Sequence, residues 1–286
     1  MRWRGERESG NIEDRRGQRV GRRAGIGGVG GVVLGLLALY FTNDPSMLLQ
    51  SIGGLVEPQM EQRQGPYQES AAEADSRKLV AVTLADTENV WNKLFAQAGK
   101  RYEEPRLVLF SGQVRSACGL AKAATGPFYC PGDHKVYIDL SFYDELSRRF
   151  GAPGDFARAY VIAHEVGHHV QNLLGTSDQV QQAYRAGDER RANALSVRLE
   201  LQADCYAGVW ANHTNKTRQM LEKGDIEAGL NAASAIGDDR LQKQGSGQVN
   251  PDSFTHGTSA QRVRWFKRGI ETGDARQCDT FAAKSL

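Results

Sequence analysis

Asp155–Leu174 reads DFARAYVIAHEVGHHVQNLL, and its centre, His164-Glu165-Val166-Gly167-His168, has the form H-E-x-x-H. Phe156, Tyr160, Ile162, Ala163, Val166 and Val170 recur at helical spacing and give the segment one strongly buried side. Asp155, after Gly154, is placed to cap the start of that helix. Residues four apart share a helix face, one turn from each other. The imidazoles of His164 and His168 can therefore reach one metal ion, with Glu165 at a neighbouring angle to face a water molecule there. Neutral imidazole is a good zinc ligand, Zn²⁺ lowers the pKa of water to about 7, and a carboxylate can accept the released proton. The spacing predicts metal-assisted hydrolysis. Gly167 costs the helix about 1 kcal/mol relative to Ala, which implies a close neighbour: a strand, a substrate or a second helix. His169 points off the metal face and reads as a surface histidine or one standing behind the ligands.

A catalytic zinc needs a third protein ligand and an open position. A third histidine six residues after His168 is ruled out by Leu174, and Gly175-Thr176-Ser177-Asp178 is followed by Gln179 where an aspartate ligand would stand. The remaining source is a glutamate on a following helix. Glu200-Leu201-Gln202-Ala203-Asp204 lies within Arg190–Ala211 (RRANALSVRLELQADCYAGVWA), whose apolar residues make a largely buried helix. Two acids there are costly to bury without partners. Glu200 is expected as the third ligand and Asp204 as the carboxylate that fixes a histidine tautomer; the competing reading is a solvated acidic pair. Farther on, Thr255–Arg262 (THGTSAQR) offers His256 as a donor to an oxyanion, with Arg262 to orient it or to pair with an acid near the site. Alone, a loop histidine reads equally well as a surface residue.

The rest of the 286-residue chain has room for one substantial domain and an appendage. Met1–Arg23 holds eight arginines and four acids, and Ala24–Phe41 (AGIGGVGGVVLGLLALYF) is uncharged over eighteen residues. That is near the lower limit for a membrane-spanning helix. With no cleavage site after it and no basic residue until Arg63, it is expected to be a signal anchor with the N-terminus in the cytoplasm. Residues 1–23 are then a basic tail, 24–41 the span, 42–78 a polar stalk and 79–286 the domain. Taking the tail's +4 from the chain's +2 leaves −2, which gives no footprint for nucleic acid. Cys118, Cys130, Cys205 and Cys278 are even in number and form no C-x-x-C pair, as suits an oxidising compartment. Of three connectivities, Cys118–Cys130 and Cys205–Cys278 are preferred; free buried thiols are the alternative. Leu79–Ala98, Gly224–Gly237 and Ser259–Glu271 read as helices, Arg106–Phe110 and Lys135–Asp139 as strands, and Asp238–Asp252 as a loop. Strands ahead of a zinc helix offer an edge to which an extended peptide can add.

HEVGHH, ELQADCYAG, HGTSAQRVRWF and the upstream Cys118–Leu140 together resemble the putative neutral zinc metallopeptidase family of bacterial membrane-anchored proteins, over about Val80 to Phe281. More distantly, the H-E-x-x-H, E-x-x-x-D and T-H-x-x-x-x-x-R trio is similar to membrane zinc endopeptidases of the CAAX prenyl protease and heat-shock protease group. That resemblance implies zinc on His164, His168 and Glu200 and a late histidine, His256, at the oxyanion; Gly257 stands where the distant group has proline. The expected fold is α+β and zincin-like, mainly helical with a small sheet before the H-E-x-x-H helix. The expected function is a zinc endopeptidase acting on proteins or peptides at the outer face of a bacterial inner membrane, with one catalytic Zn²⁺. A catalytically silent, zinc-stabilised adaptor for envelope proteins is the alternative, and an amidase acting on cell-wall peptides a third. Retention of Glu165 favours the enzyme.

Overall fold

Ile12–Asp14 (β1), Arg19–Val20 (β2) and Met60–Glu61 (β3) precede a long helix, Ala71–Gln97 (α1). Then come strands Arg106–Phe110 (β4), Gln113–Ser116 (β5), Gly119–Lys122 (β6), Phe128–Cys130 (β7) and Lys135–Asp139 (β8). The rest is helical: Phe142–Arg148 (α2), Asp155–Leu173 (α3), Asp178–Arg185 (α4), Glu189–Arg218 (α5), Asp225–Ala235 (α6), Asp238–Gly245 (α7) and Ser259–Thr272 (α8). This computed structural model describes residues 1–20, 60–61, 67–245 and 247–286.

β4 and β8 are buried after their first residues, as expected of parallel strands covered on both faces. They pair in parallel, Leu107 opposite Val136 and Leu109 opposite Ile138. The sheet order is β1-β4-β8-β7, with β1 parallel to β4 and β7 antiparallel to β8. Thus β7 is an edge, on the side that meets α3. Ile162 and Val166 of α3 join Leu107, Leu109, Val136 and Ile138 in one core with Leu201 and Val209 of α5. The sheet, α3 and α5 are consecutive layers, and the metal-facing residues project from the two helices.

Glycine sets how closely these helices approach. A Cβ on Gly167 would stand 3.0 Å from the Ala203 carbonyl oxygen, so the close neighbour of that glycine is the second helix. The crossing of α5 and α8 is tighter: a Cβ on Gly269 would lie 2.0 Å from the Cys205 carbonyl oxygen, and one on Gly208 2.2 Å from that of Phe266. α8 begins with a reciprocal capping box between Thr258 and Gln261 and ends at Gly273 in the left-handed region. Disulfides join Cys118 to Cys130 and Cys205 to Cys278, the preferred pairings. The second ties α5 to the C-terminal tail.

The N-terminal tail is not set apart from the domain. β1 is hydrogen-bonded into the sheet beside β4, and Trp3 is buried and donates through Nε1 to Asp155 at 2.7 Å. The Met1 ammonium lies 2.8 Å from Glu222 and 2.9 Å from Asp225. Arginines of the expected basic tail meet acids: Arg7 with Glu88 of α1, Arg16 with Asp14 and Glu69. Residues 1–20, expected as a separate basic tail, thus pack with the residues of the expected domain. Residues 71–78, expected as the end of the stalk, belong to α1, which starts at Ala71 on a Ser70–Glu73 capping box. The expected span, Ala24–Phe41, lies outside the described residues, among which no helix is long and apolar enough to cross a membrane. Asp238–Gly245, expected as loop, is helix α7.

Candidate metal centre

His164 and His168 lie one turn apart on α3, and Glu200 reaches them from α5. The His164 and His168 Nε2 atoms are 3.2 Å apart, Glu200 Oε2 is 3.2 Å from the first and Oε1 3.2 Å from the second. Two ligands about 2.0–2.1 Å from a tetrahedral zinc stand roughly 3.3 Å apart, so the three residues fit one such ion.

Tautomers decide whether those nitrogens can bind a metal, and each is fixed from behind. His164 Nδ1 lies 2.9 Å from Asp204 Oδ1; the carboxylate accepts a proton held on Nδ1, which leaves Nε2 as the nitrogen that faces the cluster. His168 Nδ1 donates in the same way to Gln171 Oε1 at 2.9 Å. The Gln171 amide is oriented by its own donations, to the Leu199 carbonyl at 2.7 Å and to Gln202 at 3.1 Å. Gln171 is a functional residue that the sequence reading missed, although it sits three residues after His168, within reach on one helix face.

Asp204 is fully buried, and Arg262, 1% exposed, arrives from α8 to pair with it. Arg262 Nε donates to Oδ2 at 2.8 Å and Nη2 to Oδ1 at 2.9 Å, while the Tyr160 hydroxyl also donates to Oδ1. Arg262 therefore pairs with the acid behind His164 and does not orient His256. Burial pushes the Asp204 carboxyl up, but Arg262 and His164 hold it below its ordinary value. Burial likewise opposes ionisation of Glu200, yet the two imidazoles keep it well below the carboxylate range. In the metal-free protein, burial depresses His164, and the Asp204 and Glu200 carboxylates overcome that and raise it to about 10.

His164, Glu165, His168, Glu200 and His256 line one cleft of about 1100 Å³, which also touches the β7 edge at Phe128 and Tyr129. Glu165 is 8% exposed. The sequence profile of the putative neutral zinc metallopeptidase family matches residues 1–281. The chain belongs to that family. One relative agrees over nearly the whole length and another over about three quarters of it. Escherichia coli K12 YpfJ, described as an uncharacterized protein, is 49% identical over 98% of this chain and 99% of its own. Mycobacterium tuberculosis H37Rv Rv2575, also described as uncharacterized, is 44% identical over 74% of each chain. No solved structure matches.

Two residues of this zinc metallopeptidase family member stand differently from expectation. His169 is neither exposed nor in contact with the ligands. It is fully buried, donating from Nε2 to the Glu103 carbonyl at 2.6 Å and accepting at Nδ1 from the Tyr129 hydroxyl at 3.1 Å. Burial lowers its pKa to about 4, so it stays neutral and pins β7 against α3. Gly257 has φ +83° with Val197 of α5 3.1 Å from where a Cβ would be. Proline, fixed near −65°, cannot take that conformation.

Proposed function

We propose that the protein is a zinc-dependent endopeptidase cleaving protein or peptide substrates at the bacterial cell envelope. The observation that carries this reading is the convergence of His164 Nε2, His168 Nε2 and the Glu200 carboxylate, with each histidine's Nδ1 set against an acceptor, Asp204 or Gln171. A bound zinc ion would supply Lewis acidity, polarising a substrate carbonyl and making water acidic near neutral pH. Glu165, on the cleft wall beside the ligands, takes the proton from the attacking water and returns it to the departing amine. His256 donates a hydrogen bond to the oxygen on which negative charge develops. An extended peptide lies along the β7 edge, where Pro127 and Pro131 on the cleft wall bracket the three-residue strand and a main-chain partner can add.

The envelope location is supported by the two disulfides, which persist in oxidising compartments. Membrane contact through residues 24–41 belongs to the same proposal, now with residues 1–20 on the domain's side, because β1 pairs with β4. The test is metal analysis and peptide-library cleavage by the purified chain. Glu165→Gln should abolish turnover while retaining one zinc per chain, and Glu200→Ala should lose the metal. Equal zinc retention by both variants rejects the ligand set, and cleavage by Glu165→Gln rejects the proton carrier. A zinc-replete parent that cleaves nothing points to the adaptor.

A further inference from the structure

His256 sits in an exposed turn, and its placement needs a cause. Asp238, the first residue of α7, supplies five hydrogen-bonding contacts to residues 255–257. Its Oδ2 accepts the backbone N–H groups of Thr255 at 2.7 Å, His256 at 2.6 Å and Gly257 at 3.1 Å. Its own N–H donates to the Gly257 carbonyl at 2.9 Å. Its Oδ1 lies 3.2 Å from His256 Nδ1, which is also 3.0 Å from Thr255 Oγ1. The two nitrogens of an imidazole are on different sides of the ring, so binding Nδ1 to Asp238 frees Nε2 for the cleft. Asp238 is 8% exposed.

The neighbours of Asp238 grip the same region. Asp239 Oδ1 accepts from the Ser259 N–H at 2.8 Å and hydroxyl at 2.9 Å, fixing the start of α8. The Ile236 carbonyl accepts from Arg262 Nη1 at 3.2 Å. Gly237 has no room for a side chain, since a Cβ there would stand 2.4 Å from Ser259 N. Ile236–Asp239 therefore holds His256, Ser259 and Arg262 in one register, and Arg262 passes that register to Asp204 and His164.

We propose that Asp238 is a positioning residue: it fixes the turn and the ring of His256 so that Nε2 addresses the cleft above the metal ligands. This rests on the peptidase reading for its consequence in turnover, but the geometry can be tested without it. The charged groups around His256 are Asp238, Glu200 of α5 and Arg262 of α8.

Two measurements test it. In the metal-free parent protein, ¹⁵N NMR of the imidazoles at alkaline pH should show neutral His256 protonated on Nδ1. A neutral ring protonated on Nε2 overturns the proposal whether or not the chain cleaves peptides. The second is a double-mutant cycle with Asp238→Asn, which preserves shape and one carbonyl acceptor. Alone it should lower kcat by no more than the ~10²–10³ that loss of the donor itself costs, with KM and zinc content unchanged. On a His256→Phe background it should cost nothing further. An equal loss on both backgrounds makes Asp238 merely structural and overturns the proposal. If the parent cleaves no peptide, the peptidase reading fails and the NMR result still decides Asp238.

Discussion

Asp204→Asn keeps the shape of a fully buried side chain and removes its charge. The Arg262 guanidinium, 1% exposed, is then left with the Ile236 carbonyl at 3.2 Å, the Tyr160 hydroxyl at 3.3 Å and a neutral amide. Breaking a buried pair from one side costs about 3–5 kcal/mol, because the surviving charge has no counter-charge. For a domain of this size, 1 kcal/mol corresponds to about 2–4 °C, so the expected fall in Tm is roughly 6–20 °C. The metal-free form should lose more, since His164 Nδ1 is 3.5 Å from Arg262 and its cationic form also loses the acid beside it. Zinc affinity should drop about 10–100-fold as the proton on His164 Nδ1 exchanges a charged acceptor for a neutral one. Calorimetry of loaded and metal-free protein measures the first effect, competition with a chromophoric chelator the second. Asp204→Asn/Arg262→Met should recover most of the stability but not the affinity, since removing both charges ends the desolvation problem without restoring a charged acceptor behind His164. A single variant that melts within about 2 °C of the parent and binds zinc equally well refutes the reasoning.

The metal-free protein should also respond to alkali. His164 is raised in the folded state from 6.5 to about 10, so its contribution is complete below about pH 6.5 and is lost as pH rises through about 10. With zinc bound the imidazole is neutral throughout, and that part of the slope should vanish; melting curves from pH 6 to 10 with and without metal decide it, and identical slopes refute it. Gly269→Ala should destabilise by about 3 kcal/mol or more, because its Cβ would fall 2.0 Å from a carbonyl oxygen of α5. It should weaken zinc binding too, since α8 must retreat and takes Arg262 with it. Gly10→Ala, whose Cβ would meet nothing within 4 Å, is the control, and equal melting points for the two variants reject the steric account.

The metal-facing residues were legible because helical spacing fixes direction: His164 and His168 must share a face, and acids among the apolar residues of Arg190–Ala211 need partners. Gln171 was not legible in the same way, because an amide beside two imidazoles looks like any polar helix residue until its own donors are known. Asp238 was obscured by its surroundings, a run of Gln, Gly and Ser that reads as loop. His169, expected at the surface or behind the ligands, does point off the metal face, but its ring is buried and serves the junction with β7. For the N-terminal tail, arginines written beside an apolar run suggest a membrane flank, whereas the acids that meet them in the fold, Glu69, Glu88 and Glu222, lie far along the sequence.

The anchored N-terminus also orders events in time. Met1–Val20 leaves the ribosome first, yet β1 has no neighbour until Arg106–Phe110 exists, and the Met1 ammonium has no carboxylates until Glu222 and Asp225 follow. At about 5–20 residues per second the wait for Glu222 is on the order of ten to forty seconds. The Met1 ammonium, made early, is thus among the last groups to find its partners. Without β1, β4 presents an unpaired edge, the kind of surface on which other chains add strands. Holding the first twenty residues back, across a membrane or behind a fused tag, would prolong that exposure and leave Glu222 and Asp225 without their cation.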